Sequence, residues 1–517
     1  MKSSRFAFMI ITSCYSYKPF AFSIRPSSFT RMMIGSSNHE RTGEQLISTK
    51  IPKEAFNSNP TMLLSQQQNE SEEKDVASVT MMIFPIVLPL LTVYISNQWS
   101  RSSIYYLVDF SPSATPFTAI NTDIGFSQAQ YGILASVAFT ALFAIASLFA
   151  GGLADAYDRK RITVGSAILW SLATVATGFS TTYEQVVMAR IVMGLVCAFS
   201  TPSAFTLIRD LVPKERIAVA NSIYSGGVYL GGGLSSLSIL LDQNLGWRVT
   251  CYIIAIFGWM AALLSSYVLP VDPKMKDNSA PSIRSMQIQN PLKGVGDILT
   301  TNTRIQWLFA GSFFRFCSGL MIGVWAAPYY KAAFPEDASS YAIINAFIVG
   351  LCGVTSGIVG GVLADNAAKW ADGNGYNANL GRLAIPIAGT LLAIPTWWLT
   401  AHASTFDTAM VWLAVEYLVA ECWFGPTVAV LQSEVMTGLG GTAQGLFTLT
   451  GALGNFAPSI LGFVYGQQVL SESGSSSSEL LSTLLANSVC ACYLISATCF
   501  LLSASSNVEE DVNSKQA

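Results

Sequence analysis

Gly151-Gly-Leu-Ala-Asp155-Ala-Tyr157-Asp158-Arg159-Lys160-Arg161 closes one long apolar run and opens the next. Small residues and a single acid end the first run, and three consecutive bases follow. Lysine and arginine at such a junction resist translocation, so the stretch marks a loop on the basic face of a membrane. Its opening returns 210 residues later as Gly361-Val-Leu-Ala-Asp365. A second echo pairs Pro202-Ser-Ala-Phe-Thr-Leu-Ile-Arg209, followed by Arg216-Ile-Ala-Val-Ala-Asn221, with Pro426-Thr-Val-Ala-Val-Leu-Gln432, followed by Gly441-Thr-Ala-Gln444. The chain therefore contains a repeated half, an organisation that places ligand sites at mid-membrane between the repeats.

On both sides of the loop, apolar runs recur at about 20 residues, the length that crosses a hydrocarbon core about 30 Å thick. Twelve spans are predicted, at 81–108, 129–150, 161–179, 185–208, 217–240, 249–269, 305–330, 340–363, 383–401, 408–432, 437–464 and 479–503. The polar interval 270–304 divides them six and six. One set of loops carries Arg159, Lys160, Arg161, Arg209, Lys214, Arg216, Lys274, Lys276, Arg284, Lys293, Arg304, Lys369 and Arg382, whereas the other carries Arg248 and Lys331. This asymmetry puts both termini and the linker on the cytoplasmic or equivalent side. Composition agrees, because 11% charged residues is half of what a water-facing domain carries, about 25%. The expected fold is an all-α membrane protein with 12 transmembrane helices in two six-helix pseudo-symmetric bundles, 79–269 and 305–503, joined by a cytoplasmic linker at 270–304.

Several function classes drop out. A net charge of -3 gives no basic field for nucleic acid. The two histidines, His39 and His402, and the scattered cysteines offer no metal-ligand spacing, so no metal or cofactor is expected. No Gly-Lys-Ser/Thr loop provides for nucleotide hydrolysis. No serine–histidine or paired-aspartate set lies in the spans, so enzyme chemistry is not expected. Residues 1–39 carry Lys2, Arg5, Lys18, Arg25 and Arg31 with no acid, a targeting composition. They resemble the two-part leader of plastid proteins in algae with a secondary plastid; mitochondrial import and a plain cytoplasmic tail are the alternatives. Residues 40–78 and the acidic 504–517 are polar and expected to be disordered.

The loop at 151–161 resembles the Gly-x-x-x-Asp-Arg-x-Gly-Arg-Lys signature of the major facilitator superfamily between its second and third spans. The chain is further similar to the spinster branch: Asp155-x-Tyr157-x-Arg159-Lys160 resembles its Asp-Arg-Tyr-x-Arg-Lys, Asn97-Gln-Trp-Ser-Arg101 its Asn-Tyr-Leu-Asp-Arg, and Phe424-Gly-Pro426-Thr its Asn-x-Gly-Pro-Thr. Ala156 and Asp158 depart from the general signature. Ser100 stands where the branch carries a carboxylate thought to take up the coupling proton.

Five ionisable residues fall inside spans: Arg101, Arg190, Arg315, Glu416 and Glu421. Each costs about 2.5 to 3.5 kcal/mol at a helix centre if it faces lipid, so they face each other or water. At helical spacing Asn97, Arg101, Tyr105 and Asp109 form one polar stripe along the first span. The stripe predicts the wall of a hydrated cavity, with a simple interhelical ion pair as the alternative. Arg190 opens an Arg-x-x-x-Gly194 pattern that resembles the superfamily's fourth-span motif. A guanidinium grips carboxylate or phosphate with two hydrogen bonds, so Arg101 and Arg190, with Asn97 and Tyr105, are the candidate substrate residues. Asp109, Arg315, Glu416 and Glu421 are the coupling or ion-pair candidates. One of the two glutamates pairs with Arg315 and the other faces the path, in an order the spacing leaves open. Asp155, pairing with a loop base such as Arg159, and Asp365 are expected to latch the inner gate.

The resemblance implies a secondary transporter working by alternating access, moving a small organic solute that is anionic or amphiphilic, with a lysolipid or sphingoid-type lipid as the cargo suggested by the branch. Trp99, Tyr105, Tyr224, Tyr229, Trp325 and Tyr329 are the aromatic lining candidates. Alternatives are an organic-anion or sugar-acid carrier of the same fold, and a non-transporting sensor or assembly subunit. The expected partners are the solute, the bilayer and protons; the chain is expected to act as a monomer in a plastid, plasma or endomembrane.

Overall fold

The computed structural model describes residues 84–213, 217–272, 298–299, 303–435, 440–471 and 477–506. The leader, the polar segment to residue 78, most of the linker and the acidic tail lie outside the described residues. Twelve long helices account for nearly all of the rest. They are α1 (84–106), α2 (128–156), α3 (Arg159–Phe179), α4 (183–211), α5 (217–245), α6 (Trp247–Val268), α7 (Thr303–Ala333), α8 (338–373), α9 (Ala378–Ala401), α10 (406–434), α11 (440–471) and α12 (Ser477–Ser505). There are no strands among the described residues.

Among the described residues, ten helical segments are long and apolar enough to cross a membrane. The two that fall short, α1 and α5, are the ones diluted by Asn97, Gln98 and Arg101 and by the glycines of 226–233. Both are long enough to span, and both are polar on one side, as a helix bordering an internal path must be.

Local sequence sets the helix ends. Ser127 and Gln130 form a reciprocal capping box that starts α2. Asp158, which replaces the glycine of the loop signature, caps α3 by accepting from the Arg161 backbone N–H. Thr405 and Asn377 do the same for α10 and α9.

The repeat seen in the sequence reappears as matched interruptions. A π-helical turn occupies Ile133–Val137 of α2 and Ile348–Cys352 of α8. α4 breaks at residues 198–199, just before Ser200-Thr-Pro202, and α10 tightens to a 3-10 turn at Glu421–Trp423, just before Phe424-Gly-Pro426. α5 breaks at Leu237 and α11 at Asn455. Prolines and π-bulges are the usual causes of such bends, and here they fall at corresponding places in the two halves.

The halves meet along α2 with α11 and along α5 with α8. We call the face carrying Arg159, Arg209, Arg304 and Arg382 inner and the opposite face outer. Tyr131 donates to the Val324 carbonyl (2.6 Å), Ser236 to that of Ala342 (2.8 Å), and Ser136 meets Ser459 (2.6 Å). Among the described residues, every hydrogen bond and ion pair between the halves lies on the outer side or at mid-depth. The protein is thus closed outward.

Candidate functional site

The polar stripe of α1 carries the first part of the site, although it is shorter than its spacing predicts. α1 ends at residue 106, so Asp109 leaves the helix and folds into the following loop. There its carboxylate accepts from the Ser111 N–H (2.8 Å), while its backbone exchanges hydrogen bonds with the Asn121 side chain. Asn97 is buried, and its Nδ2 has no hydrogen-bond partner. Arg101, one turn along the same face, is only half-buried and has neither a side-chain hydrogen bond nor an ion pair among the described residues. Tyr105 is buried close to Arg190. Ser100 is also buried, with an unpartnered hydroxyl.

Arg190 on α4 is 1% exposed and donates to the carbonyls of Arg101 (2.8 Å), Leu134 (3.4 Å) and Ala135 (3.5 Å) and to the Met193 sulfur (3.6 Å). Leu134 and Ala135 belong to the π-turn of α2, so Arg190 ties that bulge to α1 and α4. The guanidinium carbons of Arg101 and Arg190 sit 4.9 and 5.3 Å from the centre of the same Phe139 ring. Two cations therefore share one aromatic ring, and neither has an ion pair with a carboxylate among the described residues. Gly194 completes the motif, because a Cβ there would collide with the Phe139 carbonyl and keep α4 from α2.

The second half answers with opposite charge. Arg315 on α7 lies 214 residues beyond Arg101, close to the 210-residue offset of the loop repeat, and Glu416 lies 226 beyond Arg190. Arg315 pairs with Glu421 (3.2 Å), donates to the Ala420 carbonyl (2.9 Å), and packs over the rings of Tyr493 and Trp423. Its Nε has no partner. The order left open by the spacing is settled in an unexpected way. Glu421, the acid that pairs with Arg315, is also the more open one, its side chain 24% exposed and 3.5 Å from the Tyr229 hydroxyl of the first half. Glu416 is buried and accepts from the Tyr493 hydroxyl at 2.5 Å.

At the inner face, Arg159 is fully buried, and its guanidinium is taken up by Asp272 (2.8 Å from Nε), Asp210 (2.5 Å) and the Thr206 carbonyl (3.0 Å). Its partners are acids at the inner ends of α4 and just beyond α6, which the loop reading did not include. Asp155 ends α2, and its side chain lies outside the described residues. Asp365 faces Arg382 at 3.7 Å in an exposed pair.

Of the six aromatic candidates, Trp99, Tyr105, Tyr224, Trp325 and Tyr329 are buried in packing; only Tyr229 is partly open. Sequence reasoning missed Phe139, Tyr493, Asp210, Asp272 and two charges, Asp242 and Lys331. The last two were placed in loops, because hydropathy ends a span at its first polar residue, whereas α5 runs to Leu245 and α7 to Ala333.

A family model described as Major Facilitator Superfamily matches residues 76–458. The chain belongs to the Major Facilitator Superfamily. Its fold is similar to that of a bacterial homologue of the human lysosomal transporter Spinster, in an inward-facing and unoccupied conformation, with a TM-score of 0.64 and 18% identity over 81% of this chain and 96% of that one. A probable sulfoacetate transporter of Cupriavidus necator is 26% identical over 67% of this chain and 80% of its own length. A probable chloroplastic anion transporter of Oryza sativa subsp. japonica is 28% identical over 35% of this chain and 33% of its own. Like other Major Facilitator Superfamily members, the protein is a multi-pass secondary transporter and not an enzyme.

Proposed function

We propose that the protein carries small organic anions, and that Arg101 is the group that holds them. The observation that carries this reading is the pair of guanidinium groups on Phe139 without an acid partner. Arg190 spends its donors on carbonyls and the Met193 sulfur and adds field; Arg101 keeps its fork free, and the orphan Nδ2 of Asn97 lies one turn away on the same face. Uncompensated positive charge in a low-dielectric wall favours an entering carboxylate or sulfonate. The relatives named for sulfoacetate and for anions support this class. The tight packing of five of the six aromatics weighs against a long acyl chain, and so against a lysolipid or sphingoid cargo.

Glu421 is the proposed proton acceptor. Neutralising it releases Arg315, whose Nε is already unpartnered, toward the path. Asp365 with Arg382, Asp155, and Arg159 with its two acids are proposed to govern the inner gate, and Asp109 to serve the outer side. The protein is proposed to act as a monomer, and a plastid membrane is the proposed location, on the composition of the leader and the chloroplastic relative.

The test is a thermal-shift series on detergent-purified protein with short sulfonates, aromatic carboxylates and lysolipids, since a ligand of the folded state raises apparent stability. Short organic anions should raise the melting temperature of the wild type and fail to do so in Arg101→Gln, while flux of the same anion into liposomes separates a carrier from a sensor. Stabilisation by lysolipids alone, or an undiminished shift in Arg101→Gln, would overturn the reading.

A further inference from the structure

Where α1, α5, α7 and α8 converge at the outer face, two charges meet across the halves. The Asp242 carboxylate of α5 lies 3.7 Å from the Lys331 ammonium of α7, with side chains 1% and 6% exposed. Neither oxygen of Asp242 has a hydrogen bond. Lys331 donates to the Tyr106 carbonyl at the end of α1 (2.5 Å), and Asn345 of α8 donates to the Tyr106 hydroxyl (3.2 Å). Asp109, in the loop after α1, is the other acid acting on Asp242. We propose that Asp242 and Lys331 are the latch of the outer gate, with Tyr106 and Asn345 as its neutral struts.

The argument is one of state dependence. With the gate shut, each charge is cut off from water and has the other as its main compensation. With the halves swung apart at this end, both emerge into water, which solvates each without help. Removing one partner therefore penalises only the closed state, where it strands the other charge. Removing both leaves two neutral side chains of similar size, which bury at far smaller cost than a lone charge. The pair thus makes a distinctive prediction: two single neutralisations open the gate and their combination moves it back toward closed. A pair that merely supported folding would damage both states alike.

The measurement needs no substrate, so a failure of the organic-anion reading leaves it intact. The full chain in lipid nanodiscs carries spin labels at Asn244→Cys and Ser340→Cys, two exposed sites at the outer ends of α5 and α8, with reactive native cysteines replaced. Electron–electron distances should show the short, closed population in the parent. Asp242→Asn and Lys331→Met should each raise the open-to-closed ratio by about a hundredfold, the size expected for stranding a buried charge. The double variant should be much less open than either single, moving back toward the parental distribution, and Lys331→Arg, which keeps the charge, should stay closed. Should one single variant fail to fold, the double variant and Lys331→Arg still decide the matter through their closed populations. The latch is refuted by single variants that stay closed, by a double variant as open as either single, or by Asp109→Asn opening the gate as Asp242→Asn does.

Discussion

Glu416 and Tyr493 show how a deeply placed acid is tolerated in this chain. The carboxyl is 2% exposed and has one short hydrogen bond, from the Tyr493 hydroxyl, which also offers its ring face to Arg315. One phenol thus serves two charges. Tyr493→Phe keeps the ring for Arg315 but leaves Glu416 without its donor. A buried acceptor that loses its partner costs about 1 to 3 kcal/mol, so the variant should melt at a clearly lower temperature in detergent. Adding Glu416→Leu should recover much of that loss by removing the stranded acid. Equal melting of Tyr493→Phe and wild type would show that Glu416 draws its compensation elsewhere.

At the scale of helices, the outer closure depends on how nearly α5 and α8 can touch. A Cβ on Gly233 would come within 2.6 Å of the Ala346 carbonyl of α8, whereas one on Gly226, two turns earlier on α5, would meet nothing within 4 Å. Close contact through small residues lets membrane helices seat and slide. Gly233→Leu should therefore hold the outer ends apart, and a cysteine at Ser340 should react faster with a membrane-impermeant thiol reagent from the outer side. Gly226→Ala is the matched control and should leave that rate near the parental value. If both variants react alike, the α5–α8 seam does not set the closure. The chain from Glu416 to Glu421 is continuous α-helix, since the Glu421 N–H still bonds the Tyr417 carbonyl, so the two acids lie about 140° apart, one on Tyr493 and the other on Arg315.

Over the whole molecule, what the sequence made legible was what repeats or what is costly. The duplicated Asp155 and Asp365 loops and the Pro202 and Pro426 segments exposed the two halves, and the in-span charges stood out because lipid penalises them. Partner choice was not legible, because Arg159 finds Asp272 and Lys331 finds Asp242 through contacts of high sequence separation. The same long-range contacts define the working cycle. Ser339 of α8 and Gln243 of α5 meet across the outer seam (2.7 Å), and hydrogen bonds cross the halves among the described residues only from this side to mid-depth. Alternating access requires this seam to part while an inner one forms. A short, reducible thiol crosslinker between Gln243→Cys and Ser339→Cys should fix the outer side shut, since both positions are exposed. Exchange of a bound organic anion across liposomes should then stop, its binding from the inner side should persist, and a reductant should restore exchange. Continued exchange by fully crosslinked protein would mean that the outer seam need not open, and the two halves would have to move solute by some other route.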